Sequence, residues 1–499
     1  MSITGPGSIT AANLLAQNNM FNQLNTLSQE LGTGQAASTY SGLQSQAGLA
    51  LQLSAQLSAI DGYSNTTTTV GTTLSIAQSV LSQIGSLGSS LQQTITQQGA
   101  FSLDGNGQTA TQATAANSLD QLLSLLNTQV GDNYLFSGSA VDQPSVASSS
   151  EILNGTGTQA GLEQMIAQRL QADQGASGLG RLTVAAAGAN LSISQDGSPF
   201  GFQLAGVTSS LSGATVTGPS GVPPSIAVAL GANPNAGDSI AFDLTLPDGS
   251  SQTVVLQATA ASPPAANQFT IGATPAATAA NLQTALNTAL GNLAQTALPA
   301  ASAVAAAQNF FSEPPQRVAG PPYDTAMSLV NGTPTNTVFW YTGENGATPA
   351  LQTATAQVGP EMTIAYGMRA NEPAISSLLA NVAALAATSY SASDPNAQAS
   401  YQALCQSVQA SLSGQPGTQS VDDIEADIAN AQVTLNNAST MNTQTQTTLQ
   451  DMLQGIEGIN QNQIGEDILT LQNNLSASMS VTARLAQMSL VNYLAPSTG

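Results

Sequence analysis

Leu74-Ser75-Ile76-Ala77-Gln78-Ser79-Val80-Leu81-Ser82-Gln83-Ile84 opens the stretch that decides the fold, and Gly88, Leu91 and Ile95 complete it. From Leu74 the apolar positions run Ala77, Leu81, Ile84, Gly88, Leu91, Ile95, alternating steps of three and four that line one face of an α-helix. The spacing predicts a coiled-coil seam with one gap, at Gly88. Leu53, Leu57 and Ile60 before it, and Leu119, Leu122, Leu126 and Val130 after it, continue the habit. The polar run Asn65 to Thr69 and the Gly-rich Asp104-Gly105-Asn106-Gly107 read as turns that interrupt these helices.

Working outward, the end of the chain has the same character. Between Val421 and Leu494, Ile424, Ile428, Ala431 and Leu435 form one stripe, and Ile468, Leu471, Leu475, Thr482 and Leu485 form another. Asp422, Asp423, Glu425 and Asp427 stand at the start of the first of these helices, where the helix dipole favours negative charge. They lack the Gly and the loop spacing of a calcium cage, so no metal is expected there.

The middle differs. Leu191-Ser192-Ile193, the run Ile240 to Leu246 and Thr253-Val254-Val255-Leu256 are alternating or β-branched, and Pro247-Asp248-Gly249 between two of them is a hairpin signal. A helix is expected over Ala276 to Leu290. A short strand pair is expected from Val338-Phe339-Trp340-Tyr341 and Gln357 to Tyr366, then a helix from Glu372 to Ala387. Trp340 is read as core, and Arg369 as an exposed side chain capping a turn in Arg369-Ala370-Asn371-Glu372.

The fold class that follows is mainly α with a β-containing insert, its terminal helices paired and an α+β or β-rich variable domain facing outward. Five segments are expected. Residues 1–50 form an N-terminal helix and 51–150 a helical bundle with a β-hairpin. Residues 151–415 form the insert, 416–460 a C-terminal bundle helix and 461–499 a terminal helix. Apolar stripes this long would lie in water on a solitary helix, so the two ends are expected to pack on each other and on other subunits. An intramolecular bundle is the simpler alternative.

Charge narrows the function. The 499 residues carry 27 acidic and five basic side chains, all Arg, for a net charge of −22, with no Lys and no His. Clustered cations for phosphate neutralisation are missing, which argues against nucleic acid and anionic membranes as partners. Without His or Lys there is no Ser-His dyad, His-ligated zinc, Schiff base or P-loop lysine. Paired carboxylates remain a catalytic route, but aromatics make up only 4% of the chain and the acids are scattered singly. Neither an enzyme activity nor a cofactor is expected. Cys405, the lone cysteine, forbids an intrachain disulfide and reads as a buried or spectator thiol. No apolar run reaches the ~18 residues of a membrane span. Met1 to Gly7 lacks a basic n-region and an apolar h-region, so export without a cleaved signal is the expectation.

Three segments carry a resemblance. The string Val481-Thr482-Ala483-Arg484-Leu485-Ala486-Gln487-Met488-Ser489-Leu490-Val491-Asn492-Tyr493-Leu494 closely resembles the apolar terminal helix of the bacterial flagellin family. Gly131-Asp132-Asn133-Tyr134-Leu135-Phe136-Ser137-Gly138 resembles a segment that follows the N-terminal helices in the family's hook–filament junction members. Leu24-Asn25-Thr26-Leu27-Ser28-Gln29-Glu30-Leu31-Gly32-Thr33-Gly34 is similar to the family's N-terminal helix and its Gly-containing exit. The likeness spans roughly the first 150 and last 80 residues and leaves the insert without a counterpart.

That resemblance implies paired terminal helices building the inner tubes of an axial polymer, and an insert facing outward. It implies a motility role as a structural subunit at the hook–filament junction, with filament flagellin as the near alternative and a secreted adhesive protein as a further one. Implied partners are copies of itself, flagellin, hook-associated proteins and an export chaperone. The implied location is extracellular. The expected assembly residues are Leu24, Leu27, Leu31, Leu74, Leu81, Ile84, Leu91, Leu471, Leu475, Leu485, Leu490 and Leu494. Removing about residues 181–410 is expected to leave helix pairing in place.

Overall fold

A computed structural model of the chain describes residues 6–97, 101–414 and 417–494. About 53% of the chain is helical and 17% lies in strands of several small sheets, so the protein is mainly α with a β-containing insert. Three helices come first: α1 (Pro6–Thr33), α2 (Ala47–Thr96) and α3 (Ala110–Leu126). A hairpin, β1 (Gln129–Val130) and β2 (Asn133–Tyr134), leads to α4 (Ser149–Asn154) and α5 (Leu162–Gln174). Eight strands follow: β3 (Leu182–Ala187), β4 (Asn190–Gln195), β5 (Gln203–Ser209), β6 (Ala214–Ser220), β7 (Ser225–Leu230), β8 (Ser239–Thr245), β9 (Ser251–Thr259) and β10 (Gln268–Thr270). Next come α6 (Pro275–Gln295) and α7 (Ala297–Phe310), then the hairpins β11 (Gln316–Val318) with β12 (Leu329–Asn331) and β13 (Thr355–Gly359) with β14 (Met362–Ala365). The chain closes with α8 (Pro373–Ala387), α9 (Ala397–Leu412), α10 (Val421–Glu457) and α11 (Gln461–Leu494).

Two compact units result. The first takes its described residues from 6–69, 356–364 and 434–494, and the second from 70–355 and 365–433. In the first unit α1 and α11 run antiparallel: Gln17 Nε2 donates to Thr482 Oγ1 at 3.0 Å, while just beyond the far end of α1 the backbone N–H of Ala36 donates to Glu457 O at 2.7 Å. Gly34 ends α1 with a φ of 74°, a left-handed turn that a β-carbon would strain, and its carbonyl accepts from Ile459 N. A second seam joins the start of α2 to the end of α10, where Leu53, Ile60 and Leu449 are buried among Leu57, Tyr63, Leu453 and Ile456.

In the second unit, the part of α2 from Leu74 to Ile95 has its whole seam in the interior. The gap at Gly88 has a physical reason, since a β-carbon there would lie 3.2 Å from Leu378 Cδ1 of α8. α3 packs on α8 as well. Thr109 and Gln112 form a reciprocal capping box at its start, and the Gln112 amide donates to Thr388 O at 2.7 Å. α10 starts on a comparable cap, where Asp423 accepts from the Ser420 N–H and hydroxyl, which hold its carboxyl below the usual range.

The strands form two four-stranded sheets, ordered β3-β4-β7-β6 and β10-β9-β8-β5, antiparallel except for β10 beside β9. Their inward residues, among them Ile193, Ile226, Phe242 and Leu256, share one core with Leu282, Leu286 and Leu290 of α6. Polar groups tie this insert to α5 and α7. Buried Asp173 accepts from Arg169 Nε (2.9 Å), Ser302 Oγ (2.7 Å) and Gly201 N (2.9 Å), and Arg181 donates to Ala172 O and pairs with Asp196. Burial nevertheless pushes the Asp173 carboxyl up, against the pull of Arg169. Both guanidinium groups lie over the Phe200 ring, at 5.1 and 5.5 Å.

Several expectations need correction. Asn65 to Thr69 does not interrupt a helix, because α2 runs through it. Thr66, Thr67, Thr68 and Thr69 each donate to the carbonyl four residues back, which satisfies their hydroxyls within the helix. Residues 338–341 do not pair with 357–366: β13 and β14 pair with each other, while Tyr341 makes an isolated bridge to Val146. Arg369 is buried rather than exposed and pairs with Glu344. Residues 70–150 belong to the same compact unit as the insert. Cys405 and Trp340 are buried.

Candidate assembly surface

The twelve residues expected to form an assembly interface fall into three groups. Leu74, Leu81, Ile84 and Leu91 are in the interior of the second unit, each at most 1% exposed. Side chains with no accessible surface offer nothing to a second chain, so these four leave the candidate interface. Leu24, Leu27, Leu471, Leu475 and Leu485 lie along the α1–α11 seam, where Leu475 is buried and the others are half-buried. They hold the two helices of one chain together. Leu31 is 38% exposed. The side chains of Leu490 and Leu494 lie outside the described residues.

The seam is thin and partly polar. Gln17 Nε2 reaches both Thr482 Oγ1 and Ser478 Oγ, so one amide bridges two hydroxyls of α11. Two helices packed by a single stripe each cannot cover their outer faces. Leu14 (55%), Leu15 (65%), Phe21, Leu469 (61%), Met479, Val481 and Met488 all remain exposed. Leu14 and Phe21 are seven residues apart, and so are Val481 and Met488, which keeps each pair on one helical face. Sequence reasoning missed this second stripe because the better-spaced inner stripe on each helix drew the reading. The heptad interval between Val481 and Met488 was the available signal.

The segment Tyr134 to Gly138 serves a different purpose. Phe136 and Ser137 have no exposed surface. Ser137 O accepts from Glu344 N at 2.8 Å, Gly138 N donates to Met368 O at 3.0 Å and Ala370 N donates to Phe136 O at 2.8 Å. Gly138 has a φ of 65°, and a β-carbon on it would come within 3.0 Å of Glu344 Oε2 and 3.3 Å of Arg369 Nε. The segment is thus a keystone between residues 344 and 368–370, closed over the Arg369–Glu344 ion pair. Nearby, Glu313 accepts from Asn345 Nδ2 at 3.0 Å through one oxygen only, and burial pushes its carboxyl up to about 7. Burial raises the Tyr341 hydroxyl as well.

Among the described residues, no group of three or more His, Cys, Asp or Glu side chains is placed to hold a metal ion, and no helix is long and apolar enough to cross a membrane. No protein-family model and no curated protein matches the chain.

Proposed function

We propose that this chain is a structural subunit of an extracellular polymer, assembled through its terminal helices, and that it catalyses no reaction. Among such subunits the reading it supports best is the hook–filament junction protein of the bacterial flagellum, of the type called hook-associated protein 3. The observation that carries the proposal is the outer face of the α1–α11 pair, with Leu14, Leu15, Leu469 and Val481 each more than half exposed. Covering a Leu or Val of this kind contributes about 1.5–3 kcal/mol on full burial, so several per subunit suffice to drive association. The pairing of both chain ends, and the segments that resemble the flagellin family, support the same reading.

In that role the β-containing insert faces outward, the partners are further copies and other axial proteins, and an export chaperone covers the terminal helices before assembly. The size of the insert favours a second reading, filament flagellin. Sedimentation of the purified chain tests assembly: concentration-dependent growth is expected, and a monomer at all concentrations overturns the proposal. Immunogold labelling of native flagella separates the two readings. A band at the distal end of the hook means junction protein, and label along the whole length means flagellin.

A further inference from the structure

Four of the five Arg side chains are engaged inside the second unit. Arg169 pairs with Asp173, Arg181 with Asp196 and Arg369 with Glu344, while Arg317 donates to Asn336 O and Gln168 Oε1. Arg484 differs. It is exposed on α11 and, among the described residues, makes no ion pair or hydrogen bond. It is also the only basic side chain in the sequence of the first unit, which holds seven acidic ones.

Those acids include Glu466 and Asp467 on α11, both exposed, and Glu30 near the end of α1. Arg484 lies 17 residues beyond Asp467 on the same helix, or about 26 Å at 1.5 Å per residue. That separation is too long for any side chain to span, so Arg484 cannot reach Glu466 or Asp467 of its own copy. The carboxylate end also borders an open groove. Asp467 lines a groove of about 530 Å³ between α1 and α11, with Leu27 and Leu471 as apolar contacts and Asn22, Gln23 and Asn474 as polar ones. Such a groove matches an arginine: the aliphatic stem packs on the two leucines, the carboxylate takes the guanidinium, and amide oxygens accept its remaining N–H groups.

We infer that Arg484 of one copy docks in the Asp467 groove of a second copy, setting neighbouring α1–α11 pairs side by side in the same direction with an axial offset of about 26 Å. The charge complementarity selects the occupant: the chain is strongly acidic, and the one Arg with neither an ion pair nor a hydrogen bond among the described residues stands on the surface that self-assembly uses. The contact is head-to-tail, so one end of the array keeps a free groove and the other a free Arg484, and growth stays open. This inference rests on the assembly reading above and names the residue that sets its register.

The test uses the full chain and three proteins: wild type, Arg484→Glu and Asp467→Arg. Both changes are at exposed positions, and matching thermal melts confirm folding. In sedimentation, each variant alone is expected to need at least tenfold more protein to assemble. An equimolar mixture should assemble like wild type. The carboxylate introduced at position 484 of one variant meets the guanidinium introduced at position 467 of the other, while the native Arg484–Asp467 pair forms at the next contact. If wild type itself stays monomeric, the assembly reading fails. If wild type assembles and either variant does so equally well, or the mixture fails to recover, the Arg484 contact is wrong. Growth of the wild type that stops at a dimer overturns the offset arrangement.

Discussion

Replacing Leu475 by Ala isolates what holds the two ends of the chain together. Leu475 is 6% exposed and is the most buried described side chain of α11, on the stripe that faces α1. Leu→Ala changes in protein cores cost about 2–5 kcal/mol. The α1–α11 seam is only one stripe deep and its other leucines are half-buried, so the low end, about 2 kcal/mol, applies. A loss of that size raises the equilibrium constant for local opening roughly thirtyfold. Hydrogen exchange of the α1 amides between Gln17 and Leu27, in dilute protein where the chain is monomeric, reads it directly. They should exchange roughly thirtyfold faster, while amides of the α6 helix keep their rates. Met479→Ala is the control: Met479 is 46% exposed, so exchange in the monomer should stay unchanged while sedimentation shows weaker assembly. Unchanged α1 exchange in Leu475→Ala would refute the claim that this seam holds the terminal helices.

Three further perturbations test the second unit. Replacing residues 176–296 by a short Gly-Ser linker should leave a cooperatively folding helical unit, because the bond from Gln174 Nε2 to Ala294 O shows that the two cut ends lie close together, and Asp173 keeps Arg169 and Ser302; thermal melting of the second unit should show one transition at lower temperature, since Leu298 and Ala301 lose their cover. The wider excision of residues 181–410 should leave the second unit unfolded, as it removes α6, α7, α8 and most of α9. Gly138→Ala should lower second-unit stability by about 1–2 kcal/mol from left-handed backbone strain alone, read as a lower denaturant midpoint. Glu313 carries a pH dependence: its carboxyl titrates at about 7 when folded and near 4.5 as the unfolded reference, so unfolding releases a proton between those values and stability falls as pH rises through that window. Glu313→Gln should remove that slope, raising Tm at pH 8 and leaving it nearly unchanged at pH 4.

Much of the fold was legible because its signals are local. The three-four spacing from Leu74 to Ile95 yields a helix, the alternation from Ile240 to Leu246 yields a strand, and Gly34 ends α1 as a left-handed turn must. Asn65 to Thr69 misled because polar residues look like a break, yet threonine hydroxyls can satisfy themselves on the preceding turn and let the helix continue. Elsewhere a non-local contact overrode the local signal. Arg369 in a Gly- and polar-rich stretch looks exposed, but Glu344, 25 residues away, draws it inside.

The sequence by itself determined which faces are apolar, where the long helices and the β8 and β9 strands lie, and which chemistries a chain without His or Lys forgoes. It could not determine what covers each apolar face, because an apolar stripe is equally satisfied by its own chain or by another. Only the tertiary structure decided that the Leu74–Ile95 stripe is covered within the chain, with Leu378 seated against Gly88. It also decided that Leu24, Leu27, Leu471 and Leu475 are shared between α1 and α11, which leaves Leu15, Leu469 and Val481 facing outward. Periodicity fixes direction around one helix axis, whereas burial depends on which other helices the rest of the chain brings against it.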